Sequence, residues 1–314
     1  MQLSIIIISW NTLKMTRECL ETVFSGLSEV DAEVIVVDNA SSDGSREMVE
    51  ESFPEAVLIA NSENRGFAAA NNQAIEISKG EYVLLLNSDT LIHGDVLPKS
   101  VEYLEQNPDV GVMGCRVLNT DGSLQPTCSR FPTLINLMLQ TSGLSKLRWP
   151  KFLDRYQMVN WNRDDERDVD VVTGCYMLVR RTAMEQVGLL DENFFFYGEE
   201  TDWCKRFQDA GWNLRFAPVG VITHHGGGSV RKLNYKRDLM LTSATVKLHA
   251  KHYGLLGSFA TWLVLLTFNA TRAAYWSCAS LLQRDAKSKE RRNHFINVVL
   301  HHHRTWSTKK SVGI

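Results

Sequence analysis

Glu199, Glu200 and Asp202 follow directly on the aromatic run Phe194-Phe-Phe-Tyr197. An apolar wall strips water from a carboxylate and raises its pKa, which makes it a usable general base. Trp203, Phe207 and Ala210 recur at helical spacing and Gly211 supplies a stop, so the three acids open an amphipathic helix. Acids in a first helical turn also suit the macrodipole, which is the ordinary explanation for such a cluster. A base needs a partner reaction, and the other residues able to take part are Ser9, Asn11, Asp38, Arg65, the Asn87-Ser88-Asp89 triplet and His225.

The elements that must position these residues alternate. Leu3–Ser9 is a continuous β-branched run of the kind buried on both faces of a sheet. A helix is predicted from about Leu13 to Phe24, a second strand over Val34–Asp38, a helix through Met48, and a third strand near Val57–Ala60. Asn64-Arg-Gly66 then opens a helix over Phe67–Ile77, and Tyr82–Leu86 is a fourth strand ending in Asn87-Ser-Asp89. Strands alternating with helices predict an α/β fold with a Rossmann-like, mostly parallel central sheet. Such sheets bind ligands beyond the carboxyl ends of their strands. Ser9 and Asn11, Asp38, Arg65 and Asp89 each follow a successive strand. No Gly-x-Gly-x-x-Gly follows the first strand and no Gly-Lys-Ser/Thr loop occurs, which counts against a dinucleotide dehydrogenase and a P-loop NTPase.

The 314 residues, 44% hydrophobic and 22% charged, suffice for a large domain with an appendage. The net charge of −2 conceals an asymmetry. Residues 231–314 hold 15 Lys and Arg against 3 Asp and Glu, a net +12, and the remainder carries −14. On charge alone the tail suits either nucleic acid or an anionic membrane. Six scattered cysteines without metal-ligand spacing predict a reduced set in the core. Ile5-Ile-Ile-Ile8 is too short, and lacks the basic lead, for a signal peptide.

Taken in order, the segments Ser4–Asn11, Val36–Gly44, Asn64–Asn71, Leu84–Asp89, Thr173–Arg180, the acidic run and His225-Gly-Gly-Gly-Ser229 resemble the inverting glycosyltransferases of family 2. The resemblance spans roughly residues 3–230 and is greatest to the rhamnosyltransferase-like branch that builds bacterial surface polysaccharides. It implies the GT-A nucleotide-sugar-binding fold over 1–230, with an insertion at about 119–168. It implies transfer of rhamnose or another hexose, with inversion, from a nucleoside-diphosphate donor to a saccharide or lipid-linked saccharide. Asp38 would then bind the nucleobase or ribose with Ser9 and Asn11 beside it, and Arg65 the base or diphosphate. Asn87, Ser88 and Asp89 match the Asp-x-Asp motif, so Asp89 would hold a divalent cation, Mg2+ or Mn2+, with His225 completing its shell. Glu200 falls at the family's base, although Glu-Glu replaces Glu-Asp and leaves Glu199, Glu200 and Asp202 all eligible. Asn87 in place of the motif's first acid leaves one carboxylate for the metal, which magnesium tolerates.

Within the insertion, Asp164–Asp168 reads as a solvated charge run, and the apolar content of Phe131–Trp149 and Tyr156–Trp161 is expected to shape the acceptor side. Residues 231–314 form a basic helical extension. Leu255–Thr271 lacks charge but Arg272 interrupts it short of the about 20 residues of a span. The helix is therefore expected to pack on the catalytic domain or to lie at a membrane interface, with Tyr275, Trp276, Arg284, Lys287, Lys289, Arg291 and Arg292 in the headgroup region, and a true span is the third reading. The expected enzyme is cytoplasmic and peripheral on the inner face of the membrane, with no nucleic-acid partner and with a homodimer left open. Two rivals stand: a nucleotide-sugar-binding scaffold that has lost catalysis, and a sugar-phosphate nucleotidyltransferase. The latter should show a basic, glycine-rich N-terminal loop where this chain has Ser9-Trp10-Asn11.

Overall fold

The computed structural model describes residues 1–27, 30–146, 153, 155–226, 233–283 and 285–306. Trp149, Gly227 to Ser229, Arg231, Lys232 and Arg284, named above, lie outside the described residues. The chain divides into two compact units: residues 1–131, 157–192 and 199–227 form the first, and 132–156, 193–198 and 228–314 the second.

The first unit is built on one mixed sheet of nine strands among the described residues. β1 (Leu3–Ser9), β2 (Ala32–Asp38), β3 (Val57–Ala60) and β4 (Tyr82–Asn87) are mutually parallel, in spatial order β3-β2-β1-β4. The sheet continues through β8 (Tyr176–Arg180), β6 (Val110–Leu118), β9 (Asn213–His224) and β5 (Thr90–His93), with β7 (Arg167–Asp168) paired to β9. Here β8 runs antiparallel to both β4 and β6, and β9 runs parallel to β6 but antiparallel to β5. Consecutive strands of this parallel set are joined through helices, as parallel connections require: α1 (Leu13–Gly26), α2 (Ser45–Ser52) and α3 (Phe67–Ile77). Ile5, Ile6 and Ile7 are buried together, which explains the unbroken apolar run. Gly80 lets the chain enter β4 against β1, because a Cβ there would lie 2.4 Å from the Ser4 nitrogen.

α4 (Val96–Gln106), α6 (Arg181–Val187) and α7 (Glu199–Asp209) complete this unit. The charge run at 164–168 is exposed throughout, as a solvated run should be. Arg215 of β9 adds to it, binding Asp168 at 2.6 Å and pairing with Glu166.

The second unit is helical. α5 (Leu134–Ser142) joins it, as do residues 193–198. The segment at 132–156 belongs here because its carbonyls are bound by the C-terminal helix. His249 bonds the Pro132 carbonyl at 2.7 Å, and Arg272 donates to the Thr141 carbonyl at 3.1 Å. α8 (Tyr235–Gln283) is two helices meeting at Gly254, whose φ of 67° and ψ of −168° no helix contains. α9 (Ala286–His301) turns back along it, capped by Asp285, whose side chain accepts from the Ser288 nitrogen. All six cysteines carry free thiols; five are buried and Cys278 is exposed.

Candidate active site

The site residues gather where the parallel strands end. Ser9 is in register with Asp38, and Ile8 with Asn87, so three strand ends reach one level of the rim. Asn11 and Ala40, with φ of 53° and 65°, adopt left-handed backbone where the loops after β1 and β2 meet. Such strain persists where the surroundings hold it and clusters at ligand sites. The loops are laced together: Asn11 Oδ1 accepts from the Ser42 nitrogen at 2.8 Å, and the Asn11 nitrogen donates to Ser41 Oγ at 3.0 Å.

Asp38 is buried. Its Oδ2 accepts from the Ser41 nitrogen at 3.0 Å, while Oδ1, also buried, has no hydrogen-bond partner among the described residues. A buried orphaned acceptor is costly unless a ligand donor completes it. A ribose hydroxyl or a base N–H would do so. Ser9 and Ser88 have a different place from the one expected. Ser9 Oγ is buried in a hydroxyl network with Thr12 at 3.3 Å and Thr16 at 3.0 Å, and Thr12 reaches Ser88 at 3.2 Å. The pair knits the rim together instead of offering groups to a ligand.

Arg65 is exposed, and its guanidinium forms no hydrogen bond or ion pair among the described residues. Its backbone is fixed by Asn39, a residue that the sequence presented only as part of a turn. Asn39 Oδ1 accepts from the Arg65 nitrogen at 3.0 Å and from Asn61 at 3.1 Å, and Nδ2 donates to Asn64 at 3.0 Å and to the Gly66 carbonyl at 3.3 Å. Gly66, at φ 82° and ψ 173°, makes the turn into α3 in a conformation reserved for glycine.

Asp89 is mostly buried and lies 3.1 Å from His224 Nε2. Asn87 Nδ2 is 3.3 Å from the same nitrogen, and Gln125 Oε1 lies 2.7 Å from His224 Nδ1. His225 contributes its backbone nitrogen to the Asp89 carbonyl at 2.9 Å, and its Nε2 is buried without a hydrogen-bond partner among the described residues. Adjacent strand residues face opposite sides, and it is His224, which the sequence reading passed over, whose ring meets the Asp89 carboxylate. A mostly buried carboxylate beside an imidazole suits a divalent cation that takes its remaining ligands from phosphate and water. No cluster of three His, Cys, Asp or Glu residues suited to a metal occurs among the described residues.

The three acids of α7 separate cleanly. Asp202 is fully buried and accepts from Arg206 Nε at 2.9 Å, while the same guanidinium donates to the Val187 and Leu189 carbonyls at 2.7 Å each. Its carboxylate holds the loop before the helix, which removes it from the candidate bases. Trp203 braces that loop too, donating to the Gly188 carbonyl at 2.8 Å. Glu199 is buried, and desolvation, followed by the neighbouring Glu200 charge, pushes its carboxyl well above the ordinary range. Burial therefore favours its protonated form. Glu200 is the less buried of the two.

A family model described as glycosyl transferase family 2 matches residues 4–188. The chain is 28% identical over 225 residues to the N-acetylglucosaminyl-diphospho-decaprenol L-rhamnosyltransferase of Mycobacterium tuberculosis, covering 66% of this chain and 71% of the relative. It is 27% identical over 227 residues to a low-salt glycan biosynthesis hexosyltransferase of Haloferax volcanii, covering 71% and 67%. Among solved structures, the mannosyltransferase PcManGT from Pyrobaculum calidifontis in complex with GDP-Man and Mn2+ superposes with a TM-score of 0.59 at 16% identity, over 98% of this chain and 88% of that one. Staphylococcus aureus TarS, residues 1–349, superposes at 0.53 and 14% identity, over 97% and 81%. The fold is GT-A.

Proposed function

Because the chain belongs to glycosyltransferase family 2, we propose that it transfers rhamnose or another hexose, with inversion, from a nucleoside diphosphate to a saccharide or lipid-linked saccharide. The observation that carries this reading is the unfilled chemistry of one rim: the orphaned Asp38 oxygen, the uncommitted Arg65 guanidinium, and Asp89 beside His224.

In this reading Asp38 Oδ1 accepts from the nucleoside and Arg65 faces the negative charge of the diphosphate. Asp89 would hold a divalent cation. When bound, that cation neutralises charge growing on the departing diphosphate. Glu200 takes the proton of the acceptor hydroxyl, whose oxygen attacks the anomeric carbon as the bond to the diphosphate breaks on the opposite face. One displacement inverts the configuration and needs no enzyme nucleophile, unlike a retaining hydrolase with its second carboxylate. Burial of Glu199 favours its protonated form, which lowers the negative charge of the pair.

The extension supports a membrane-bound acceptor. α8 is long and apolar enough to cross a membrane, and little of its most apolar stretch is buried. Leu256, Phe259 and Leu263 form an exposed stripe, and Arg272 is the one charged residue between 255 and 283. Lys287 and Lys289 lie exposed on α9, and Arg291 stacks over Trp276 at 4.6 Å, a pairing suited to a headgroup region. We place the protein at the cytoplasmic face of a membrane and in surface glycan synthesis, as a peripheral enzyme.

The test is nucleoside-diphosphate release from a panel of nucleotide sugars, with and without saccharide acceptor, in wild type and Asp89→Ala. Acceptor-dependent release that Asp89→Ala abolishes, with an unchanged thermal melt, is expected. Donor binding without release would make the chain a scaffold, and pyrophosphate-dependent release of sugar phosphate would make it a nucleotidyltransferase.

A further inference from the structure

Four successive carbonyls upstream of α7, those of Val187, Gly188, Leu189 and Leu190, each accept a hydrogen bond from a side chain. Arg206 of α7 donates to Val187 and Leu189 at 2.7 Å each, Trp203 of α7 to Gly188 at 2.8 Å, and Asn72 of α3 to Leu190 at 2.9 Å. We propose that Asn72 is a positioning residue for Glu200: through this strap it ties the helix that follows Arg65 to the helix that carries the base. Asn72 lies outside the motifs, and its role rests on the reading of Glu200 as base given above.

Asn72 stands out in its helix. The other buried residues of α3 are Ala68, Ala69, Ala70, Asn71, Ala74 and Ile75. Asparagine favours a helix less than alanine does, and once buried its polar atoms need partners. Both ends of the Asn72 amide are engaged. Oδ1 accepts from the Leu190 nitrogen at 3.1 Å, and Nδ2 donates to the Leu190 carbonyl and, at 3.1 Å, to Glu192 Oε1. A backbone nitrogen can only donate, so the orientation of the amide is fixed. Asn72 thus takes both backbone groups of Leu190, as a neighbouring strand would.

The strap grips α7 close to the base. Trp203 is wholly buried, and residues three apart, such as Glu200 and Trp203, are neighbours on a helix surface. Arg206 is itself held by Asp202 at 2.9 Å. At the other end α3 starts from the Arg65–Gly66 turn, which Asn39 binds through the Arg65 nitrogen at 3.0 Å and the Gly66 carbonyl at 3.3 Å. A continuous set of contacts therefore runs from the Arg65 turn through α3, Asn72 and the strap to α7, all within the first unit. Asn72 reaches the reaction only by fixing where Glu200 stands. Misplacing a catalytic group by about 1 Å from a distance can cost about 10²-fold in rate.

Two measurements on the full-length protein test this. The first is hydrogen exchange of the Trp203 indole N–H by 1H–15N NMR, with the signal assigned by its loss in Trp203→Phe. Asn72→Ala leaves Leu190 without its side-chain partner and should speed that exchange about tenfold relative to the Ile6 amide of β1. An unchanged ratio overturns the proposal. The second is nucleoside-diphosphate release at saturating donor, with the nucleotide sugar that turns over in the panel above. Asn72→Ala should lower turnover about 10²-fold with the donor KM little changed. In a Glu200→Gln background the same change should cost less than about twofold more, because residues that act as one unit do not add. An equal loss in both backgrounds overturns the role of Asn72 and leaves Glu200 as the base. Undiminished turnover in Glu200→Gln, or no release by the wild type, overturns the base reading and the proposal with it. If Asn72→Ala does not fold, Asn72→Ser, which leaves a hydroxyl and room for water, enters the same cycle.

Discussion

The two units reverse the usual relation of side chain to solvent, and in opposite senses. The sheet unit buries acids: Asp38 is 2% exposed, Glu199 4% and Asp202 0%. The helical unit displays hydrocarbon: Leu255 is 71% exposed, Leu256 81% and Leu282 84%. Scattered exposed leucines are ordinary, whereas buried acids and a continuous exposed apolar stripe call for an explanation. The acids are explained by what each binds or is prepared to bind. Asp202 has Arg206, burial pushes the Glu199 carboxyl toward its neutral form, and Asp38 has an oxygen without a partner among the described residues. The stripe stays exposed among the described residues, which is the ground for the membrane contact proposed above.

Breaking the acid side of this comparison should give the largest effect. Glu200→Gln removes the base without changing its shape and should lower turnover by on the order of 10²–10⁴-fold, with little change in donor affinity. Steady-state kinetics with saturating donor would reveal it. Asp202→Asn should instead lower the melting temperature, because it removes half of a buried ion pair. If Asp202→Asn lost more turnover than Glu200→Gln in protein of equal stability, the two roles would have to be exchanged.

The apolar side predicts smaller numbers that differ between the units. Ile6, wholly buried in β1, should cost about 2–5 kcal/mol as Ile6→Ala. Leu256→Ala should stay within about 0.5 kcal/mol in aqueous buffer, since that side chain has little to lose. Urea unfolding monitored by circular dichroism reads both. On vesicles the order reverses. Leu256→Asp with Phe259→Asp should impair flotation with anionic lipid at high salt, where the basic residues of α9 are screened and the inserted face alone remains. Wild-type protein that never floats would leave the stripe to a protein partner.

The parallel half of the fold was legible because each strand is short, β-branched and closed by a polar residue. β3 and α3 fall at Val57–Ala60 and Phe67–Ile77, as their patterns predict. The rim residues were legible for the same reason, since a polar residue after a buried strand has few other places to go. What escaped depends on partners distant in sequence. Periodicity cannot tell that Arg215 gathers the charge run or that Gln125 reaches across ninety-nine positions to His224, whereas the Asp202–Arg206 pair, four apart on α7, was open to a reading by helical spacing. Nor could it tell His224 from His225, because the choice rests on which way β9 faces β5. Asn39 was hidden in a turn signal although its four hydrogen bonds set the loop that carries Arg65.

The smallest predicted effect sharpens the comparison most, because it measures burial of an acid directly. Glu199 titrates near its ordinary value of 4.5 in the unfolded chain and well above it in the fold, through desolvation and the Glu200 charge. Below 4.5 the carboxyl is protonated in both states and contributes nothing to pH dependence. As pH rises past that value the unfolded chain releases the proton while the folded chain keeps it. The unfolded state is then favoured progressively, until the folded carboxyl also ionises. Wild-type stability should therefore carry a component that falls as pH rises above 4.5. Glu199→Gln cannot ionise and should lack it, so the variant gains on the wild type as pH increases. Urea unfolding at pH 5, 7 and 8.5 would measure the difference. A gap between the two proteins that is constant with pH would mean that Glu199 is ionised in the fold, and that the proton of the pair resides elsewhere.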